Sequence, residues 1–393
     1  MRQIKLVDGE KVYSFDLIAG NKNDVGIDLR LLHEKTGLFS YDSGLRSTAI
    51  CRSGISYIDE TKGKLFYRGH IISELVDKYD FLSVAYLLIY GKFPTEKAQQ
   101  DFQGEINLDY SSLSALLPSN RFPENIIPID ALKICLSLLI ANKSDKKYNE
   151  TIPAILSYMP MIIAHIANKQ KNKEIFIKGD YVETFLCNYF NKQEVSATTI
   201  KLIQKFLILH MDHEQNASTT AVRIIGATGN SPLNSIFSGI LALEGSRHGG
   251  ANEQVINMLK NIDSYKDMLR LIENAKNNKE CIFGLGHRVY RTIDPRAIIL
   301  KNLCREYFSD NPLLQKAQQL EHLVTHEEYF IERKLYPNLD FYSGILLQGL
   351  GIETKMFLLF FVLARTVGWL SHWKEMNENK GSLIRPRQIY IGD

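Results

Sequence analysis

From about residue 46 onward the pattern of this chain turns helical, with apolar residues recurring at spacings of three and four, and that period restricts it to a mainly helical fold. The stretch IISELVDKYDFLSVAYLLIYG sets the pattern, with Gly91 as its stop. FPTEKAQQDF follows as a helix start, with Pro94, Thr95 and Glu96 near the first turn. IDALKICLSLLIA, ATTIKLIQKFLILHMDH and PLNSIFSGILALEG continue the theme. The Lys- and Asn-rich pieces NKSDKKYNE and NKQKNKE read as solvated loops. Two longer apolar runs, IPAILSYMPMIIAHIA (152–167) and MFLLFFVLA (356–364), fall short of the roughly 20 residues that span a bilayer, so both predict buried helices.

The beginning differs. IKLV and VYSFDL alternate apolar and polar residues about Asp8-Gly9, a hairpin signal, so residues 1–45 are expected to form a small β-rich unit. No continuous apolar run precedes it, which argues against a secretory signal. At 393 residues the chain exceeds a single core, and two or three domains are expected. The net charge of +3 and the scattered lysines argue against a nucleic-acid partner. Cys51, Cys135, Cys187, Cys281 and Cys304 are far apart and form no CxxC pair, which predicts free thiols in a reducing compartment. The expectation is a cytoplasmic protein with no membrane partner.

Several constellations could carry chemistry. GSRHGGANE places His248 among glycines before a helical stretch, where a helix dipole would disfavour its cation. A neutral imidazole there can donate to a carbonyl; the plain reading is a histidine in a glycine turn. FGLGHRVYRTIDPR sets His287 after a Gly-Leu-Gly turn. Val289 stands where a dinucleotide fingerprint would need glycine, so that reading fails. Arg288, Arg291 and Arg296 beside it suit carboxylates or phosphates, against the alternative of a basic surface loop. In HMDHEQNAS, His210 and His213 lie three apart with Asp212 between, which suits either a metal site or one ligand-binding and one packed histidine. Arg365 directly follows nine apolar residues, and a buried arginine demands an anionic partner. LIRPRQIY ends the chain with Arg385 and Arg387 flanked by apolar residues, which suggests docking. In YPNLDFYSGILL, Asp340 is either a turn residue beside Pro337 and Asn338 or a carboxylate placed in shelter for a purpose. Together these groups suit a small polycarboxylate and proton transfer at carbon. No nucleophile elbow, P-loop or complete metal set is present.

HMDHEQNAS, HGGANE, GLGHRVYRTIDPRA, LYPNLDFYSG, ARTVGWLSHW and RPRQIY, in that order, resemble the citrate synthase family over nearly the whole chain. The hairpin and SGISYIDETKGKLFYRGHIISEL resemble its bacterial form with an added N-terminal β segment. About residues 105–190 match poorly and look shortened. The resemblance implies a helical fold with a large domain (46–249 and 353–393) and a small domain (250–352) that close over the substrates. It implies condensation of acetyl-CoA with oxaloacetate through citryl-CoA, with acetyl-CoA a substrate and no metal or cofactor. Asp340 would be the base at the acetyl methyl group, His248 the donor to the thioester oxygen, and His287 the acid at the ketone. His213, Arg296 and Arg365 would hold oxaloacetate, joined by Arg385 from a neighbouring subunit. Arg291 would meet CoA phosphate, and Gly284, Leu285 and Gly286 the adenine. The implied assembly is a homodimer at least, or a hexamer. Some relatives with the N-terminal segment are inhibited by NADH, but their nucleotide-site residues find no match in the shortened middle. The family usually has Gly-Pro before the residue preceding the first catalytic histidine; here Gly245-Ser246-Arg247 precede His248. The rival readings are 2-methylcitrate synthase, using propionyl-CoA, and a metal-dependent hydrolase built on His210, Asp212 and His213.

Overall fold

The computed structural model describes residues 2–22, 24–106, 113, 117, 122–123, 125–142, 151–168, 175–246 and 248–393. Arg247 and much of the poorly matching middle therefore lie outside the described residues. The chain forms two compact units, Met1–Gly54 with Ile384–Asp393, and Ile55–Leu383.

In the first unit the expected hairpin forms. Strand β1 (Gln3–Asp8) pairs antiparallel with β2 (Lys11–Ala19) in a register running from Gln3 opposite Asp16 to Asp8 opposite Lys11. Gly9, at φ +59°, makes the turn between them. A third strand, β3 (Val25–Ile27), adds to β2. The C-terminal Arg387 docks within this unit, its guanidinium 4.8 Å from the Phe39 ring centroid.

The second unit is a helical body carrying one small sheet, β4 (Ser56–Asp59), β5 (Lys64–Tyr67) and β6 (His70–Ile71). Sequence reasoning missed this sheet, although Ile55, Tyr57 and the Thr61–Gly63 turn carry the alternation that announces it. The helical stretch after it is two helices rather than one, Ile72–Lys78 and Phe81–Tyr90. Asp80 breaks it by accepting the Ser83 N–H at 2.7 Å, an N-cap in mid-pattern. Gly91 ends the second helix in the left-handed region, as expected.

The helix Phe357–Glu378 is the spine of this unit. It packs against Phe81–Tyr90, Ile152–Ala167, Ala197–His210, Ala217–Gly226 and Pro232–Leu243. At 22 residues it is longer than the apolar run that announced it. It and the preceding turn are long and apolar enough to cross a membrane by composition, yet 83% of the qualifying window is buried inside the protein. Burial, not shortness, makes it a core helix. Trp369 on this helix packs where a side chain at Gly239 would sit, 3.0 Å from the position of a β-carbon there. A second set of helices, Ala251–Lys260, Pro295–Tyr307, Pro312–His326 and Leu339–Gly349, packs mainly on its own members.

Candidate active site

Asp340 lies in the first turn of the helix Leu339–Gly349, whose cap Asn338 accepts the Asp340 backbone N–H at 2.9 Å. The capping role thus falls to Asn338. The Asp340 carboxylate oxygens take no hydrogen bond among the described residues. Burial pushes the carboxyl up to about 6, against the pull of Arg296 and Arg365 and with the push of Asp294.

The loop bearing His287 is stitched to the segment before Asp340. Gly286 N–H donates to Tyr336 C=O at 2.8 Å, Asn338 N–H to Gly284 C=O at 2.9 Å, and Asn338 Nδ2 to Gly286 C=O at 2.8 Å. Gly284 and Gly286 both sit at φ +80°, and a β-carbon on Gly284 would lie 2.8 Å from Phe341 and Val255. The glycines thus bring the His287 loop against the Asp340 helix. These backbone groups are already engaged inside the protein, as is Leu285, whose N–H donates to Ile282 C=O at 3.2 Å.

Hydrogen bonds fix the tautomers of both histidines. His287 Nδ1 accepts the backbone N–H groups of Val289 and Tyr290 at 3.0 and 3.1 Å. The ring proton therefore lies on Nε2. Burial first, then the Arg296 charge, push this imidazole down to about 4, while Asp294 pulls the other way. His248 Nε2 accepts the Ser218 N–H at 3.3 Å and lies 3.0 Å from Ser218 Oγ, so its proton lies on Nδ1. Burial, then Arg365, push it down to about 4. The helix end it meets is that of Ala217–Gly226, thirty residues upstream, rather than the following helix expected from the sequence. Ser218 Oγ is held in turn by Trp369 Nε1 at 3.2 Å and Asn216 Oδ1 at 2.7 Å. Sequence reasoning missed Ser218.

The two buried arginines differ. Arg296 forms a forked pair with Asp294, Nε to Oδ1 at 3.0 Å and Nη2 to Oδ2 at 2.8 Å. Burial opposes its charge, but Asp294 more than offsets this and holds it above its ordinary value. Asp294 also caps Pro295–Tyr307 and accepts the Leu339 N–H at 3.3 Å. Its position in Asp-Pro-Arg, before a proline-initiated helix, was a legible cap signal. Arg365 is 2% exposed, and its one polar contact is Nε to the His210 C=O at 2.8 Å. No carboxylate among the described residues lies within ion-pairing distance of it. Burial pushes its guanidinium down to about 10, Asp212 and Tyr67 pull it up, and it stays a cation at neutral pH.

His213 lies 5.0 Å from His287 and 5.5 Å from Tyr290, ring to ring, and its buried Nε2 has no hydrogen-bond partner among the described residues. Burial, then Arg296, His287 and Arg365, push it far below its ordinary value. The next residue, Glu214, is in the left-handed region at φ +51°, and its carboxylate accepts the Ile58 N–H at 2.7 Å. His210 is a packing residue, stacked 4.0 Å from Phe206, with Nδ1 donating to the Phe206 C=O at 2.7 Å. Asp212 accepts from Ser56 and lies 3.2 Å from His372 Nε2. Burial opposes the Asp212 charge, but His372, Arg365 and Ser56 outweigh it and hold the carboxyl low. His210, Asp212 and His213 therefore have separate partners. No group of three metal-ligating side chains occurs among the described residues.

Arg291 and Arg288 are surface residues. Arg291 Nε lies 3.7 Å from the Glu60 carboxylate, and its backbone N–H donates to Glu60 C=O at 3.0 Å. Arg385 belongs to the first unit and is exposed.

A family model described as citrate synthase, C-terminal domain, matches residues 44–387. The citrate synthase of Thermotoga maritima MSB8 is 34% identical, with a TM-score of 0.79 over 90% of this chain and 96% of that one. That of Pyrobaculum aerophilum is 29% identical, with a TM-score of 0.77 over 96% and 95%. The citrate synthase of the archaeon Thermoplasma acidophilum, in a ternary complex with carboxymethyl coenzyme A and oxaloacetate, is 25% identical, with a TM-score of 0.81 over 90% and 97%. The protein is thus a mainly helical, carbon–carbon bond-forming enzyme of the acyltransferase type. It belongs to the citrate synthase family.

Proposed function

We propose that this chain condenses acetyl-CoA with oxaloacetate through citryl-CoA, releasing citrate and CoA. The observation that carries the reading is the protonation pattern. Two imidazoles are held neutral by hydrogen bonds that place their protons on Nδ1 of His248 and Nε2 of His287, and the carboxyl of Asp340, on the helix against which the His287 loop packs, has its pKa raised to about 6.

A thioester methyl group is a very weak carbon acid, so a carboxylate needs help at the carbonyl to deprotonate it. Asp340 takes the methyl proton while His248 Nδ1–H donates to the thioester oxygen, giving an enolate held by that hydrogen bond, or the enol where the His248 proton is passed to the oxygen. The enol carbon attacks the ketone carbon of oxaloacetate as His287 Nε2–H polarises the ketone oxygen and gives it a proton. Water then cleaves the thioester of citryl-CoA. Arg365, the free side of Arg296, His213 and Arg385 of a neighbouring subunit hold the oxaloacetate carboxylates, and Arg291 with residues 284–286 meets CoA. Residues 250–352 act as a small domain that closes on the rest and keeps water out until the bond has formed. The chemistry as written needs no metal ion.

Steady-state kinetics following CoA release, with acetyl-CoA and propionyl-CoA side by side, test the acyl preference. The expected result is a kcat/KM for acetyl-CoA at least about tenfold higher, within the 10–200-fold that one methylene commands. A propionyl preference would replace this reading with 2-methylcitrate synthesis. Arg385→Ala is expected to raise KM for oxaloacetate with an unchanged melting temperature, because the side chain is exposed. An unaltered KM would remove Arg385 from the site.

A further inference from the structure

The C-terminal end of the helix Pro312–His326 carries two histidines that the proposed reaction does not use. His322 and His326 are four residues apart, so they share one helical face. Both are exposed, with ring centroids 4.2 Å apart and planes inclined at 48°. A carbonyl can only accept, so the 2.7 Å contact between His326 Nδ1 and the His322 C=O places the proton on Nδ1. The lone pair of His326 is then on Nε2. Metal-binding histidines characteristically donate their other N–H in this way, which fixes the ring and raises its basicity. The His322 ring takes no hydrogen bond with the described residues; its contact with His326 is a tilted ring pair, and it can turn either nitrogen toward its neighbour.

We propose that His322 and His326 form a surface chelate for a divalent transition-metal ion of the kind that imidazole favours, Ni²⁺, Cu²⁺ or Zn²⁺. Two facing imidazoles four residues apart are the helical half of many zinc sites. No third His, Cys, Asp or Glu joins them among the described residues, so water completes the shell and the ion exchanges freely. Occupancy ties the last helical turn together. The chain beyond it runs through the helix Glu328–Glu332 to Tyr336, which receives the Gly286 N–H beside the site. An ion bound only to the folded form raises its stability by mass action.

The test uses untagged full-length protein freed of metal with EDTA and dialysed. Ni²⁺ titration by calorimetry is expected to show one site, weakened more than about tenfold by His322→Ala and equally by His326→Ala, at least the loss that an outer-shell change alone produces. Ni²⁺ is expected to raise the melting temperature of the parent but of neither variant, while all three melt alike in EDTA. Electron paramagnetic resonance with Cu²⁺ is expected to report two nitrogen ligands in the parent and fewer in each variant. Parent-like affinity in both variants, or a loss confined to one of them, would overturn the chelate.

Discussion

Asp340→Asn is expected to lower kcat by about 10²–10⁴-fold while oxaloacetate still binds, since positioned acid–base groups contribute on that scale. The variant keeps the local fold. The cap bond at this position uses the Asp340 backbone N–H, and the carboxylate makes no hydrogen bond among the described residues. The parent enzyme should lose activity as pH falls through about 6, where Asp340 takes up a proton. Stability should move in the opposite sense to activity. The folded-state pKa, about 6, lies above the ordinary 3.8, so the ionised group disfavours the folded state. That cost is complete above about pH 6, shrinks as pH falls from 6 to 4, and is absent below. Asn should therefore stabilise the protein at pH 8 by about 1–3 kcal/mol, the upper end being the full pKa rise, and by little near pH 4. Calorimetry at the two pH values with single-turnover kinetics checks both halves. Near-parental turnover in the Asn variant would end the assignment of Asp340 as base.

What the sequence showed and what it hid divide along chain distance. The helical body was legible because apolar period, proline starts and the Gly91 stop are local signals. The split at Asp80 was local too, but an N-cap inside an unbroken apolar period was outweighed by the period. The small sheet at Ser56–Ile71 was hidden for the same reason, since it precedes the helical run directly. At the site, residue types were readable and partners were not. The sequence placed His248 at the start of its own following helix. Its ring instead meets Ser218 and the helix Ala217–Gly226, a contact that no local pattern encodes. The HxxH pair left a metal site and a split into one ligand-binding and one packed histidine both open, and the fold takes the second: His210 packs on Phe206 while His213 faces His287. Arg296 was read in a basic loop and Arg365 as a buried cation, both as holders of the same substrate carboxylates. That Arg296 is buried on Asp294, while Arg365 has no such carboxylate among the described residues, is a property of the fold.

That separation gives opposite expected outcomes for two equivalent substitutions. Arg296→Met should destabilise the protein by about 3–5 kcal/mol, because Asp294 is left buried with an uncompensated charge. Asp294 also ties two helices together through its cap and the Leu339 N–H, so the loss spreads into the segment bearing Asp340. The double variant Asp294→Asn/Arg296→Met should recover part of this stability. Arg365→Met removes a buried cation that has no carboxylate within ion-pairing distance among the described residues. It leaves the His210 C=O without its donor, a cost of about 1–3 kcal/mol, and is relieved of the burial of the charge. These oppose each other, so the melting temperature should change little. Binding should not be spared. Losing one member of a buried charged contact with a substrate carboxylate costs about 2–5 kcal/mol, so KM for oxaloacetate should rise by at least about 30-fold. Differential scanning calorimetry and oxaloacetate saturation curves on both variants decide the matter. If Arg365→Met unfolds the protein as readily as Arg296→Met and leaves KM unmoved, then Arg365 is a structural cation and the anion-binding part of the proposed site is wrong.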